Sequence, residues 1–173
     1  MRVLALDIAG RTGYVLGDLS ARPQPKILSL AAEGKTADDA AARFGLWLRD
    51  VFESPNRPAS IVVERNLAGS AQKGGHASEM TMKLHGALTA VAACYRIPIE
   101  RVAASTARKS FTGRGTYPSR EDAKRASVKA AQFHGFLDKF DNDNDKADAA
   151  GLFFWLGLQR GIAQKRLQEA IPF

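Results

Sequence analysis

The sequence predicts an α/β fold: a five-stranded mixed sheet with helices on both faces. Three observations lead there. Short runs such as Val3-Leu4-Ala5-Leu6 and Ile61-Val62-Val63 are apolar at every position, as suits strands in the middle of a covered sheet. Longer segments between the later runs carry apolar residues at helical spacing. The first extended runs, in contrast, are separated by turn residues alone, so the sheet begins with antiparallel hairpins.

Residues 3–7 read as the first strand and 13–16 as its partner, with Ala9-Gly10-Arg11-Thr12-Gly13 supplying turn glycines. Residues 26–30 form a third strand after a Pro-containing loop. From 36 to 52, Ala40, Phe44, Trp47, Leu48 and Val51 mark a helix, with Thr36 as N-cap and Asp38 and Asp39 in its first turn. Residues 61–64 are the fourth strand, and 67–77, with three glycines, a mobile loop. A long helix over 78–95, a fifth strand over 99–102 and a short helix over 106–111 follow. Ser119 opens a helix running to about 132, and the last helix spans roughly 144–164. Three strands with hairpins, then helix, strand, helix, strand and helices resemble the ribonuclease H-like fold. There the tips of the first and fourth strands lie side by side at the carboxyl edge of the sheet.

A length of 173 residues with 45% apolar content suits one domain, 1–173, with one core. No run approaches the roughly 20 apolar residues a membrane helix needs, and nothing resembles a signal peptide. Cys94, in an apolar helical segment, reads as a buried core residue suited to a reducing cytosol. One Cys and three His at no ligand spacing argue against zinc. The net charge is +7, concentrated between Arg101 and Lys129, where eight basic residues face two acids. That imbalance points to a polyanionic substrate, although a solvated helix face is the plainer account of the run alone.

Four acids stand out against this basic background. Asp7 and Glu64 each end an apolar strand, and Asp145 and Asp148 lie three apart at the start of the Ala-rich last helix. A carboxylate at such a strand tip pays desolvation unless it is paired or holds a cation. Each also has an ordinary explanation: Asp7 as a turn or cap residue, Glu64 in a surface pair with Arg65, Asp145 as a helix cap. Converging acids without an obvious basic partner are what Mg²⁺ takes, through hard oxygen ligands.

These residues resemble the RuvC-type Holliday-junction resolvases, and more closely their relatives in bacteriophages and bacterial genomes. The resemblance runs through Leu4-Ala5-Leu6-Asp7-Ile8-Ala9-Gly10-Arg11-Thr12-Gly13-Tyr14, Ile61-Val62-Val63-Glu64 and Asp145-Lys146-Ala147-Asp148-Ala149. It implies that Asp7, Glu64, Asp145 and Asp148 are the catalytic, metal-binding carboxylates. It also implies a basic residue after the fifth strand, at Arg108 or Lys109, and another opening the next helix, at Arg120 or Lys124. Leu67, Lys73 and Arg114 complete the expected DNA contacts. The resolvases carry an aromatic residue shortly after the central Glu; here that segment reads Arg65-Asn66-Leu67-Ala68-Gly69-Ser70, with Leu67 as a non-aromatic wedge.

The expected activity is therefore a Mg²⁺-dependent endonuclease, with Mn²⁺ as a substitute, acting on four-way junctions and other branched DNA. Two metals roughly 3.5–4 Å apart would serve an in-line attack leaving 5′-phosphate and 3′-hydroxyl ends. Symmetric incision implies a homodimer, with the small residues Gly86, Ala87, Ala90 and Ala93 as a candidate interface, although core packing explains them equally well. The expected location is the cytoplasm. The competing functions are an RNA-processing nuclease of the same fold, a non-catalytic nucleic-acid-binding module, and an ATPase of the sugar-kinase and actin-like group. Two such domains enclose ATP in that group, more than 173 residues supply.

Overall fold

The computed structural model describes residues 1–30, 36–65 and 75–161. Five strands, β1 (Arg2–Asp7), β2 (Arg11–Asp18), β3 (Lys26–Ser29), β4 (Ser60–Glu64) and β5 (Ile99–Val102), form one sheet in the order β3-β2-β1-β4-β5. The helices are α1 (Ala37–Glu53), α2 (Gly75–Cys94), α3 (Ala104–Thr112), α4 (Arg120–Phe133) and α5 (Asn144–Gln159). β1 is central, antiparallel to β2 and parallel to β4. β3 pairs antiparallel with β2, and β5 pairs parallel with β4. The expected mixed five-stranded sheet is what the chain forms.

The pleat sorts the strand residues between two cores. Val3, Ala5, Val15 and Val62 pack with Ala107 and Phe111 of α3, Ala131 of α4 and Leu152 and Leu156 of α5. Leu4, Leu6, Ile61 and Val63 pack with Phe44 and Leu48 of α1 and Leu84 and Leu88 of α2. Successive side chains alternate between faces, so continuous apolar runs mean that both faces are covered. Each fully buried Leu, Val or Phe contributes roughly 1.5–3 kcal/mol of hydrophobic stabilisation.

Local chemistry fixes the helix starts. The Thr36 hydroxyl accepts from Asp39 N at 3.1 Å, and the Asp39 carboxylate accepts from Thr36 N at 2.9 Å, a reciprocal cap on α1. Ser119 caps α4 by accepting from Asp122 N at 3.0 Å. Asp143, rather than Asp145, caps α5, accepting from Asp145 N and Lys146 N at 3.0 and 3.2 Å.

The structure corrects several sequence readings. Cys94 is exposed. Leu84, Leu88 and Ala92 take the inward face of α2, and Cys94, two residues on from Ala92, falls off that stripe. Of the loop expected over 67–77, positions up to 74 lie outside the described residues, and α2 already begins at Gly75. The last helix ends at Gln159, capped by Arg160 and followed by Gly161 at φ +71°, a left-handed stop short of the expected 164.

Gly13, read both as the start of the second strand and as a turn glycine, lies inside β2, opposite Asp7. A Cβ there would sit 1.9 Å from the Asp145 carbonyl oxygen and 2.5 Å from its carbon. The missing side chain lets the first turn of α5 lie directly on β2. The turn itself is held by Thr12, whose buried hydroxyl donates to Ala9 O at 2.7 Å and accepts from Ala9 N at 3.3 Å.

Gly13→Ala therefore forces backbone apart and should cost roughly 1–3 kcal/mol, a fall in Tm of the order of 2–10 °C for a chain this size. Gly45 is the control: it lies inside α1, and a Cβ added there would meet only Val91 Cγ2 at 3.8 Å, an ordinary contact. Gly45→Ala should hold or raise Tm through helix propensity. Thermal unfolding followed by circular dichroism checks both; equal Tm values for the two variants would contradict the close approach.

Candidate active site

Asp7 and Glu64 end adjacent parallel strands whose register runs from Val3↔Ser60 to Leu6↔Val63, so the two acids lie one step further along, side by side. Asp7 follows the pleat of Val3 and Ala5, and Glu64 that of Val62, so both turn toward the face covered by α3, α4 and α5. There α5 crosses the sheet, resting on Gly13, and presents Asp148.

The three carboxylates disturb one another. Burial pushes the Asp7 carboxyl well above its ordinary range, and the charges of Asp148, Glu64 and Asp145 push it further; the Arg108 guanidinium opposes them. Burial and then Asp148 raise Glu64, again against Arg108. Asp148 is raised by burial, offset in part by the Ser127 hydroxyl bonded to it and by Arg108 and Lys124. Ser127 is a buried hydroxyl on the inward face of α4.

The acids of 141–148 divide into separate tasks. Asp141 pairs with Lys146 at 2.8 Å. Asp143 caps the helix and also accepts from Arg11, one contact at 3.1 Å. Asp145 pairs with the same Arg11 guanidinium, and these two carboxylates hold that guanidinium firmly charged. The expectation of acids without a basic partner is thus corrected at two points: Arg11 engages Asp145, and Arg108 stands among the other three. Sequence reading missed Arg11 and Ser127. Arg11 had a signal in its motif position between two glycines, whereas a serine on an apolar helix face carries little.

Arg108 lines a narrow cleft with Glu64, Ser127 and Asp148, and its Nε is buried without a hydrogen-bond partner among the described residues. A wider groove of about 500 Å³ leads from Glu64, Arg65 and Arg108 past Tyr117 to Arg120 at the start of α4. Lys109 is exposed and lines neither space. Lys124 is the basic residue of α4 whose charge reaches Asp148, while Arg120 borders the wider groove. Arg114 lies over the Tyr117 ring, 5.9 Å from its centroid. Leu67 and Lys73 lie outside the described residues.

Among the described residues no three His, Cys, Asp or Glu side chains form a ready-made metal cage. The donor chemistry nevertheless fits a hard divalent cation. Asp7, Glu64 and Asp148 offer oxygen ligands only, and their mutual repulsion is the kind of strain that bound positive charge relieves.

No protein-family model matches the chain, and no curated protein matches it. Solved structures do. Thermus thermophilus RuvC aligns with a TM-score of 0.67 and 14% identity, over 94% of this chain and 98% of that one. T. thermophilus RuvC in complex with Holliday junction substrate aligns at 0.70 and 15%, over 94% and 97%. The yeast mitochondrial Holliday junction resolvase Ydc2 aligns at 0.53 and 15%, over 96% and 83%. The fold is ribonuclease H-like α/β. Within that class it is the fold of the RuvC-type resolvases.

The raised Asp7 carboxyl has a measurable sign. An acid whose folded pKa lies above its unfolded value of about 3.9 supports the fold below that value. The support is lost as pH rises through the folded pKa. Asp7→Asn should therefore raise Tm at pH 8 in EDTA, by the order of 2–4 °C per kcal/mol of repulsion relieved. The gain should shrink as pH falls toward 4. A Tm difference independent of pH would contradict the strained carboxylate.

Proposed function

We propose that this chain is a divalent-metal-dependent endonuclease that cuts branched DNA, with the four-way junction as its principal substrate. The observation that carries the reading is the meeting of Asp7, Glu64 and Asp148 beside Arg108 at the carboxyl edge of the sheet. The RuvC-type fold supports it, since T. thermophilus RuvC shares the fold and is described in complex with a Holliday junction.

In this reading Asp7, Glu64 and Asp148 hold the cation, and Asp145 joins them or stays with Arg11. Bound Mg²⁺ or Mn²⁺ supplies Lewis acidity at the scissile phosphate and a more acidic water. Arg108 faces that phosphate with a guanidinium whose Nε has no partner among the described residues. Ser127 orients the Asp148 carboxylate. The groove from Arg108 to Arg120 takes the backbone on one side of the cut, with Arg65 and Arg114 at its margins. Contacts of this kind position the DNA without reading its sequence.

Cutting a four-way junction symmetrically takes two active sites. We place the second in a two-fold partner docked on the exposed side of α2, where Gly86, Ala90 and Ala93 allow close approach. Ala87 is half-buried against the chain's own core and is not available to that contact.

The test digests four-way, three-way and splayed DNA, RNA–DNA hybrid and structured RNA in parallel, with Mg²⁺ and with EDTA. Cleavage of branched DNA in Mg²⁺ alone is expected, and preferential cutting of RNA would contradict the reading. Asp7→Asn, Glu64→Gln and Asp148→Asn should each lower the rate by more than about 100-fold while leaving junction binding intact. Ser127→Ala should cost about 10–100-fold, the usual range for a residue that orients a ligand. Cleavage by Asp7→Asn within a few-fold of the unmodified rate would remove the metal assignment.

A further inference from the structure

Among the described residues, the two most exposed phenylalanines lie away from the acidic site, at the far end of α4 and just beyond it. Phe133, the last residue of that helix, is 82% exposed, and Phe140, in the connection to α5, is 81% exposed. Neither ring contributes to either core. Leaving two phenylalanines in water forgoes roughly 1.5–3 kcal/mol of burial each.

The two rings sit on a braced backbone. The Gln132 side-chain amide donates to Lys139 O at 3.2 Å and to Asp141 O at 3.1 Å. Those carbonyls flank Phe140, and Gln132 itself precedes Phe133, so one side chain ties the two segments together. The Lys139 ammonium stands 4.7 Å from the centroid of the Phe140 ring, and the edge of Phe133 meets His134 at 5.2 Å between centroids.

A basic groove of about 350 Å³ ends at Gln132, the residue before Phe133. Glu121, Lys124, Arg125, Val128, Lys129 and Gln132 line it from α4, with Asn142 and Asn144 opposite. Glu121, Arg125, Lys129 and Phe133 are spaced by four, which is one row along a helix. Arg125 is paired with Asp122 at 2.6 Å. Lys124, Lys129 and Lys139 make no salt bridge among the described residues. The groove starts where the charge of Lys124 reaches Asp148. Phe133 lies roughly 13 Å further along the helix axis at about 1.5 Å per residue, about four nucleotides at a stacking distance of ~3.4 Å.

We propose that the α4 groove and the Phe133–Phe140 pair form a subsite for unpaired single-stranded DNA, whose bases stack on the two rings while Lys124 and Lys129 follow its backbone. Cations without a salt bridge and exposed rings on a braced backbone are the two parts of a sequence-tolerant single-strand site. An apolar partner surface would leave the lysines and asparagines of the groove without a counterpart, and a duplex keeps its base faces covered. The inference deepens the proposed function: the strand opened at a branch would be held here, beyond the cutting site. It also supplies, on a different element, the aromatic surface that the segment after Glu64 lacks.

The experiment measures binding of a labelled twelve-nucleotide oligo-dT strand, and of a blunt duplex, to the full chain by fluorescence anisotropy in EDTA, where cleavage plays no part. Phe133→Ala with Phe140→Ala should weaken single-strand binding by about fivefold or more, given the usual worth of stacking on a ring. Duplex binding should stay within twofold. Lys124→Ala and Lys129→Ala should each lower the salt slope for the single strand by about 0.7. Phe140→Trp keeps an exposed ring, guards against a misfolded alanine variant, and should show fluorescence quenched by oligo-dT in step with binding. Equal single-strand affinity in the folded alanine variant, or a Phe140→Trp signal that oligo-dT leaves unchanged, overturns the proposal. Loss of self-association in that variant with its single-strand affinity intact would also overturn it, in favour of a protein contact. A chain that binds the single strand through these rings yet cuts no branched DNA supports this subsite while contradicting the proposed function.

Discussion

Negative charge gathered at the tip of the central strand is the constraint on which the rest of the site depends. Asp7 ends the central strand of the sheet, with Glu64 beside it and Asp148 above it. Burial and the neighbouring charges all act against its ionised form. Such an arrangement costs stability. Arg108 offsets part of that cost, but its guanidinium is shared among three carboxylates. The fold keeps the acids together by packing α5 closely on β2 and on α3.

That packing begins with the approach of α5 to β2. Gly13 carries no side chain to hold the helix off the strand there. Arg11 then ties the helix start to the same strand through Asp143 and Asp145, and Asp143 caps the helix that it positions. On the opposite flank Gly151 lies against the Phe111 ring, where a Cβ would come within 3.1 Å, so α3 with Arg108 packs closely on α5. Two glycines and one arginine therefore set where Asp148 stands relative to Asp7. From the acids a groove opens that is lined by Arg65, Arg108 and Arg120.

Much of this is legible in the sequence, for physical reasons. Strands apolar on both faces have few architectures open to them, and the hairpin start followed by crossovers determines the strand order. A carboxylate at the end of such a strand is conspicuous because burial makes it costly. Pairwise relations across the sheet are harder to read. Gly13 resembles a turn glycine because its reason is contact with Asp145, more than a hundred positions away. Arg11 resembles a loop residue until α5 arrives beside it. Ser127 and the exposed rings of Phe133 and Phe140 have no periodic signature, since a helix pattern reports which side is buried and says nothing of what an outward side chain meets. Cys94 is misplaced by sequence reading for a related reason: an Ala-rich helix end shows too little contrast to mark its inner face.

The central claim is that Asp7, Glu64 and Asp148 share divalent metal. A crystal of the unmodified protein soaked in Mn²⁺, with diffraction recorded at the manganese absorption edge, tests it most directly. An anomalous peak bounded by these three carboxylates, absent from a crystal of Asp7→Asn treated in the same way, is the predicted result. No peak at the strand tips in a crystal whose Asp7, Glu64 and Asp148 side chains are well ordered, or a peak that persists unchanged in Asp7→Asn, would contradict it.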